Sequence, residues 1–306
     1  MTTTLTNLID EVLINLSGYT YQQERSTYLT AAVTTLTSPS SNPTILSVGS
    51  TDNIGKGVLE IDEELIWVDT FDRVANTATI APYGRGYLGT TASTHAVDAK
   101  ITISPIFPRF SVKRAINDTI RAVGTQLMAV KNTTFTYNAA VNTYGLTGLN
   151  IDRILRMDWQ DVGPSQEWIP LRRWDFDSQP DASTWGATGQ TVTIGDYVTA
   201  GRTVKVTYIT QPEPLATGSD VYETTTGLPA SSKDVIVLGA SYRLLSFLDP
   251  ARAGQISPQA DETDGKRPYG ASASATKQLY ALYTTRLREE IAAQQGQYPP
   301  RVHYSR

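Results

Sequence analysis

Two kinds of hydrophobic periodicity alternate along this 306-residue chain, and together they constrain its fold more than any other feature. In four segments the apolar residues recur every three or four positions, which predicts amphipathic helices. Between these segments lie two long blocks in which short apolar runs alternate with threonine and other polar residues, as in β-strands. The pattern therefore predicts an α+β fold, in which a four-helix bundle is interrupted by two β-rich insertions.

The four predicted helices differ in how clearly the sequence marks their ends. Ser111 is a candidate N-cap of the second helix, because a serine side chain can accept a hydrogen bond from the first backbone amides of a helix. The third helix should stop at Asp249–Pro250, since proline lacks the amide hydrogen that a helix interior needs. The predicted helices extend from about Leu5 to Leu16, Val112 to Val130, Ser231 to Leu248 and Ser274 to Gly296.

The first β-rich block contains a well-marked hairpin. Alternating segments on both sides of Asp62-Glu63-Glu64 predict two strands, Gly57–Ile61 and Leu65–Val68, joined by an acidic turn whose carboxylates are solvated. The segment from Gln255 to Ser272 is rich in glycine, proline and acidic residues and is predicted to be an exposed loop. The other predicted strands are Tyr28–Val33, Thr44–Val48, Thr77–Ile80, Lys100–Ile103, Arg153–Met157, Gln190–Ile194 and Thr203–Tyr208.

The end of the chain differs from the fourth helix before it. Pro299 and Pro300 cannot continue a helix, and the last ten residues include two tyrosines, a valine and two arginines. A frayed terminus and an extended C-terminal arm that orders on a partner both agree with this composition. The predicted segments are 1–20 (first helix), 21–105 (first β-rich insertion), 106–131 (second helix), 132–230 (second β-rich insertion), 231–295 (third and fourth helices) and 296–306 (C-terminal arm).

Composition and charge argue against several functional classes. A formal net charge of −4 without a basic face argues against general nucleic-acid binding. The absence of cysteine excludes disulfides and thiolate chemistry. The sequence starts without a basic region followed by an apolar run, and no apolar stretch approaches the roughly 20 residues of a membrane span. We therefore expect a protein that is made and used in cytoplasm, or in an assembly built there, without a membrane partner.

A glycine-rich segment, Gly84–Gly89, matches the pattern GxGxxG. In a dinucleotide-binding fold a helix follows this pattern directly, but Thr90–His95 is poor in helix formers. A tight connection between strands, in which the glycines permit a positive φ, is the favoured interpretation, with Tyr87 packed and Arg85 bonded locally. The candidate residues of this structural turn are Gly84, Arg85, Gly86, Gly89 and His95.

Candidate catalytic and metal-binding groups are few. The two histidines, His95 and His303, do not have a metal-binding spacing, and the nucleophile pattern GxSxG is absent. His95 is predicted to be a hydrogen-bonded structural residue. The acidic clusters Asp62–Glu64 and Asp261–Asp264 fall in predicted turns, where solvent favours the ionised forms. The sequence therefore predicts no catalytic residue, no bound metal and no cofactor.

Four tryptophans lie close together in the second β-rich block, near Arg172 and Arg173. Such residues can stack on a sugar or a base, but a small β domain can equally use them as its core. We favour a core or a protein interface, and saccharide binding by this block remains the alternative. The tryptophans are Trp159, Trp168, Trp174 and Trp185.

The hairpin and the glycine-rich segment together carry a family resemblance. The hairpin Gly57–Val68, followed by Gly84–Ala96, resembles virion proteins of tailed bacteriophages. The next segments, Pro105–Phe110 and Ala115–Ile120, are similar to head-to-tail connector proteins of actinobacterial siphophages, which are also called adaptor or head completion proteins. The resemblance covers residues 1–130 directly, and the remainder agrees with the family only in plan.

This resemblance implies a structural role in the virion. Adaptors form a ring, commonly of twelve copies, between the portal protein and the stopper, the tail terminator or the tail. The ring extends the DNA channel, and DNA passes through its lumen without sequence-specific binding. The expected location is the portal vertex of a virion assembled in the host cytoplasm. The large β content departs from the family, because minimal adaptors are nearly all helical.

The resemblance also gives the C-terminal arm a role, which is to dock on the portal protein. Two alternatives stay open, a tail or baseplate structural protein with small β domains and a glycan-active β protein. The residues expected in the portal-binding arm are Tyr298, Arg301, Val302, His303, Tyr304 and Arg306.

Overall fold

A computed structural model describes residues 2–19, 25–146, 148–161, 166–186, 189–246 and 271–298, with side chains from residue 274 onward in the last range. The described residues are 31% helical and 29% strand, and they form six α-helices and two 3-10 turns. The helices are α1 (Leu5–Ser17), α2 (Arg109–Val123), α3 (Ala182–Trp185), α4 (Tyr222–Thr226), α5 (Lys233–Ser246) and α6 (Ala271–Gln297), and the 3-10 turns are Tyr87–Gly89 and Ala230–Ser232.

Thirteen strands are present among the described residues. They are β1 (Arg25–Tyr28), β2 (Ile45–Ser47), β3 (Gly57–Ile61), β4 (Glu64–Asp72), β5 (Thr77–Ile80), β6 (Lys100–Ile103), β7 (Ala129–Thr136), β8 (Thr143–Gly145), β9 (Ile151–Gln160), β10 (Trp168–Pro170), β11 (Trp174–Asp177), β12 (Thr191–Ile194) and β13 (Thr203–Thr210).

The predicted four-helix bundle with two insertions is wrong, because the chain mixes helix and strand throughout and includes a curled β-sheet. It divides into two compact units, and both contain strands together with helical segments. The physical reason is that each β-rich block pairs its own strands and buries its own apolar core. The first unit comprises 1–7, 117–238 and 280–306, and the second comprises 8–116 and 239–279.

The curled sheet belongs to the second unit. Its six strands are antiparallel neighbours in the order β1-β6-β3-β4-β5-β2. The chain beyond the two outer strands also pairs, since the Thr30 amide donates to the Ser47 carbonyl at 2.9 Å and the Gly49 amide donates to the Tyr28 carbonyl at 2.9 Å. The sheet therefore closes on itself around an apolar interior. That interior contains Leu29, Val33, Leu46, Val48, Ile54, Leu59, Ile61, Ile66, Val68, Ala78, Ile80 and Ile101.

The first unit contains two smaller antiparallel sheets. One has the order β10-β9-β13-β7, and the other has the order β11-β12-β8. Trp159 and Trp174 pack partly buried against the apolar core of this unit, as predicted for a core role. The Lys205 ammonium lies 4.3 Å from the centroid of the Trp168 ring, close enough for a cation–π interaction.

Most of the predicted strands agree with the structure, but the first does not. The first strand in the structure is Arg25–Tyr28, whereas the prediction was Tyr28–Val33. Beyond this strand, Leu29 and Val33 form only isolated β-bridges. The predicted loop Gln255–Ser272 and the predicted helix end at Asp249–Pro250 lie outside the described residues, except that α6 already includes 271 and 272.

Helix α1 is confirmed, whereas α2 differs from the prediction at both ends. It begins at Arg109, so Ser111 lies inside the helix and is not its N-cap. The Glu60 carboxylate instead accepts a hydrogen bond of 2.5 Å from the Arg109 amide, which satisfies one of the free donors at the helix start. The helix ends at Val123, and Val130 belongs to β7, because strand pairing with β13 replaces helical bonding there.

Candidate functional site

The β3–β4 hairpin has a two-residue turn, Asp62–Glu63, and Glu64 is the first residue of β4. Asp62 has a φ of 55°, the left-handed conformation that such short turns require. The prediction that the acidic residues are solvated is wrong for Glu64, whose side chain is completely buried. It lies at the centre of a group of charged residues that we call the Glu64 cluster, made of Asp62, Glu64, Arg85 and His95.

Arg85 is the main partner of the buried carboxylate. Its Nε donates to Glu64 Oε1 at 2.7 Å and its Nη2 donates to Glu64 Oε2 at 2.8 Å, a bidentate pair. The guanidinium also donates to the backbone carbonyls of Thr35 and Ser93. The arginine of the glycine-rich segment therefore connects three separate parts of the second unit.

Backbone amides complete the shell of Glu64. The amide of Gly86 donates to Oε1 at 2.9 Å, and that of Ser93 donates to Oε2 at 2.9 Å. Burial raises the pKa of Glu64, but the hydrogen bonds from Arg85, His95, Ser93 and Gly86 outweigh this and lower the pKa from 4.5 to about 2. The carboxylate is therefore ionised at neutral pH, although it is buried.

His95 joins the cluster through both ring nitrogens. Its Nε2 lies 2.9 Å from Glu64 Oε2, and its Nδ1 lies 2.7 Å from Asp62 Oδ2. Burial lowers the pKa of His95, but hydrogen bonds and charge from Glu64 and Asp62 outweigh it and raise the pKa above 6.5. A protonated imidazole can donate to both carboxylates. In that state the two positive charges of Arg85 and His95 balance the two carboxylates of the cluster.

The glycine-rich segment folds as a tight connection around this cluster. A side chain at Gly84 would place its Cβ 2.6 Å from the Trp67 carbonyl, and Gly86 has a φ of 62°. Tyr87 packs on Trp67, with 5.0 Å between the ring centroids. Gly89 ends a 3-10 turn, and Thr90–Thr94 has no helical structure, so this segment lacks the helix of a dinucleotide-binding site.

The end of α6, from which the C-terminal arm continues, is a second candidate site. Gln294 is buried, and its side-chain amide bonds both backbone groups of Met128, accepting from the nitrogen at 2.8 Å and donating to the oxygen at 2.9 Å. Glu290 is also buried, and it accepts from Ser231 Oγ at 2.7 Å and pairs with Arg286 at 2.9 Å. These contacts fix the last turns of α6 within the first unit.

Of the predicted arm residues, only Tyr298 belongs to the described part of the chain. Its backbone amide donates to the Gln294 carbonyl at 2.9 Å, so it continues the bonding pattern of the last helical turn. Tyr298 and Gln297 border a groove of about 240 Å³ beside β9 and β13. The other arm residues lie outside the described residues, namely Arg301, Val302, His303, Tyr304 and Arg306.

The described part of the chain contains neither a metal-binding cluster nor a membrane-spanning helix. No group of three or more His, Asp or Glu residues is arranged there to hold a metal ion. Nor does any described helix combine the length and apolar character needed to cross a membrane. The Glu64 carboxylate accepts five hydrogen bonds, so the geometry of its cluster suits structural reinforcement.

Sequence reasoning missed three residues that organise these sites, Glu60, Glu64 and Gln294. One signal was available for Glu64. Arg85 is the single Lys or Arg residue between Arg73 and Lys100, and a cation isolated in a β-rich segment requires an acidic partner when it is buried. For Gln294 the sequence carries no comparable signal, because the partner is the backbone of Met128.

Comparison with known families gives one match. A model of the SU10 adaptor protein family matches residues 90–303, more than half of the chain. The chain therefore belongs to the SU10 adaptor protein family. Membership supports a bacteriophage adaptor-type protein, a structural component of the virion that interacts with other phage head or tail proteins. No curated protein matches the chain.

Proposed function

We propose that this protein forms an adaptor ring between the portal protein and the stopper or tail of a siphophage with an actinobacterial host. The ring extends the DNA channel at the portal vertex, and twelve copies are expected. Each copy docks on the portal through its C-terminal arm. The main support for the proposal is the family match, which extends to residue 303 and so includes most of the arm.

The described end of α6 supports this use of the arm. Gln294 and Glu290 hold the last turns of α6 in the first unit, so the arm begins at a fixed position. A fixed starting point reduces the ordering entropy that an arm must lose when it docks. In the proposed complex Val302 and Tyr304 enter apolar pockets of the portal, and Arg301 and Arg306 pair with carboxylates.

A single arm would bind weakly. Two buried apolar side chains contribute about 3–5 kcal/mol before ordering costs. A ring that engages many arms at once gains effective concentration, which converts weak single contacts into a long-lived joint. The proposed role is structural and non-enzymatic, as the family suggests.

Removal of the arm tests the docking step. Truncation after Tyr298 keeps all described structure and removes residues 299–306. We expect the truncated chain to fold normally and to lose co-sedimentation with DNA-filled, tailless heads. The matched control is the full-length variant Arg288→Gln, which removes one exposed charge on α6 but keeps the arm and the contacts of Glu290. Equal co-sedimentation of the truncated and intact chains would contradict the docking role.

A further inference from the structure

The second unit contains two long segments without exposed charge. No Asp, Glu, Lys or Arg occurs in Leu29–Thr51, and Thr77–Val97 contains only Arg85 and His95 as charged or basic residues, both buried. We call these two segments the uncharged face. Charged residues follow directly after each segment, at Asp52 and Asp98. In a chain with 18% charged residues, uncharged segments of this length mark an unusual surface.

The two segments form one continuous region of the unit. Strand β2 pairs with β5, and Val33 bridges His95. The Tyr83 amide donates to the Ser38 carbonyl at 2.9 Å. The Arg85 guanidinium donates to the Thr35 carbonyl. These bonds place the residues of both segments side by side.

Large apolar side chains project from this region into solvent. Their exposed fractions range from 48% at Leu36 to 87% at Tyr83. Interface cores are depleted in charged residues, and the uncharged face shares this property. The exposed apolar residues of the face are Leu36, Ile45, Tyr83, Leu88 and Val97.

Two of these side chains are held in an unfavourable backbone conformation. Tyr83 has a φ of 58° and Leu88 has a φ of 56°, both in the left-handed region that favours glycine. Arg85 and Gly86 lie between them and are bonded to buried Glu64. The Glu64 cluster therefore fixes a strained turn that presents two apolar side chains outward, an arrangement typical of functional surfaces.

The first unit contains a second pair of uncharged segments, which is bordered by the exposed Asp175 and Asp177 of β11. Neither Asn132–Ile151 nor Ala182–Gly195 contains an Asp, Glu, Lys, Arg or His residue. The two segments are joined by the pairing of β8 with β12. Val141 is an exposed apolar residue in the first of these segments. A closed ring of identical subunits needs two different patches on each copy, one for each neighbour.

We infer that the uncharged face packs against the second pair of uncharged segments, 132–151 and 182–195, on a neighbouring copy of this chain. Each copy carries a net charge of −4, so identical copies repel one another wherever charged surfaces meet. Contact through segments that contain no charged residue limits this repulsion. The inference rests on the proposed ring, and it identifies the surfaces through which neighbouring copies meet.

Photo-crosslinking tests this contact in the full-length chain. Benzoylphenylalanine is introduced at Tyr83 or Leu88, and at Val74 as the control, since Val74 is 96% exposed in the same unit but lies outside the uncharged face. The samples are the chain alone at increasing concentration and the chain bound to DNA-filled, tailless heads. We expect positions 83 and 88, but not 74, to give products at multiples of 33.4 kDa. Peptide mapping should place the second site in 132–151 or 182–195.

A second variant separates contact from folding. Leu88→Gly removes the side chain and relieves its positive φ, so the fold should be retained. It should reduce the homotypic product from position 83 at least fivefold, whereas Val74→Gly should not change it. Three results would overturn the inference: crosslinks to a different protein only, products that map elsewhere, or no product on heads that have bound the chain. None of these three results would contradict the proposed function. Homotypic products from a chain that does not bind heads would support the contact and contradict the proposed function.

Discussion

At the scale of single residues, Glu64 determines the local structure of the glycine-rich segment. The carboxylate is surrounded by Arg85, His95 and two backbone amides, and it has no exposed surface. A buried ion pair does not by itself make a protein more stable than an apolar pair would. Removing one partner is costly, however, because the remaining charge stays buried. We therefore assign the cluster the role of fixing the conformation of the turn.

The first prediction concerns the loss of this carboxylate charge. Glu64→Gln leaves the Arg85 guanidinium buried without a counterion and should lower the free energy of unfolding by about 3–5 kcal/mol. The measurement is urea-induced unfolding of the full-length chain. The control is Glu63→Gln, which removes a partly exposed pair with Lys113 and should cost about 1 kcal/mol or less. Equal effects of the two substitutions would contradict the central role of Glu64.

The second prediction concerns pH. The pKa of His95 is raised in the folded chain, so its stabilising contribution is complete below 6.5 and is lost as pH rises through the folded pKa. The pKa of Glu64 is lowered to about 2, so its contribution is complete above 4.5 and is lost only as pH falls towards 2. Between pH 6 and 9, the difference in Tm between wild type and His95→Gln should therefore decrease. A difference that is constant or grows over this range would contradict the charged state of His95.

Part of this cluster could be predicted from the sequence and part could not. The glycines around Arg85 indicate a tight connection with a locally bonded arginine, because the φ angles that glycine permits are a local property of the chain. The partners of Arg85 are 21 residues earlier at Glu64 and 50 residues earlier at Thr35. Their approach depends on the pairing of β3 with β4 and on the closure of the sheet, which periodicity alone does not specify.

At the scale of elements, a buried side chain attaches the end of α6 to the first unit. Gln294 bonds the amide and the carbonyl of Met128, which lies between the end of α2 and the start of β7. Each of these buried backbone groups would lose its partner if the side chain were removed. The last turn of α6 therefore depends on a single side chain for its attachment at this point.

The third prediction tests that attachment. Gln294→Ala should lower the free energy of unfolding by about 1–3 kcal/mol, because it leaves buried polar groups of Met128 unpaired. It should also speed hydrogen exchange in residues 290–298 and around Met128. Gln295→Ala is the matched control, since Gln295 is exposed on the same helical turn. Similar exchange in the two variants would contradict the anchoring role of Gln294.

The helices show what periodicity predicts and where it fails. The bounds of α1 follow from an apolar stripe on one face, so the prediction was accurate. The second helix was predicted too long, because Leu127 and Val130 continue the three-and-four spacing beyond its end. In the structure Gly124 packs against Pro212, and the chain leaves the helix for strand β7. Tertiary contacts override the local pattern at that point.

At the scale of the whole molecule, the chain belongs to an adaptor family but is rich in β-structure. The prediction of a four-helix bundle failed because it treated the strands as insertions into a helical core. Each β-rich block instead forms its own apolar core and belongs to a compact unit that also contains helical segments. Apolar periodicity identified most of the elements, but it could not specify which elements pack together.

Electron microscopy of the portal vertex directly tests whether this protein forms an adaptor ring there. Purified chain is mixed with DNA-filled, tailless heads of the source phage, and the vertex is imaged with and without the chain. We expect a new ring of density at the portal, which is lost when the chain is truncated after Tyr298. Heads that show no added density at the vertex, or an equal ring with the truncated chain, would contradict the proposed adaptor and its docking arm.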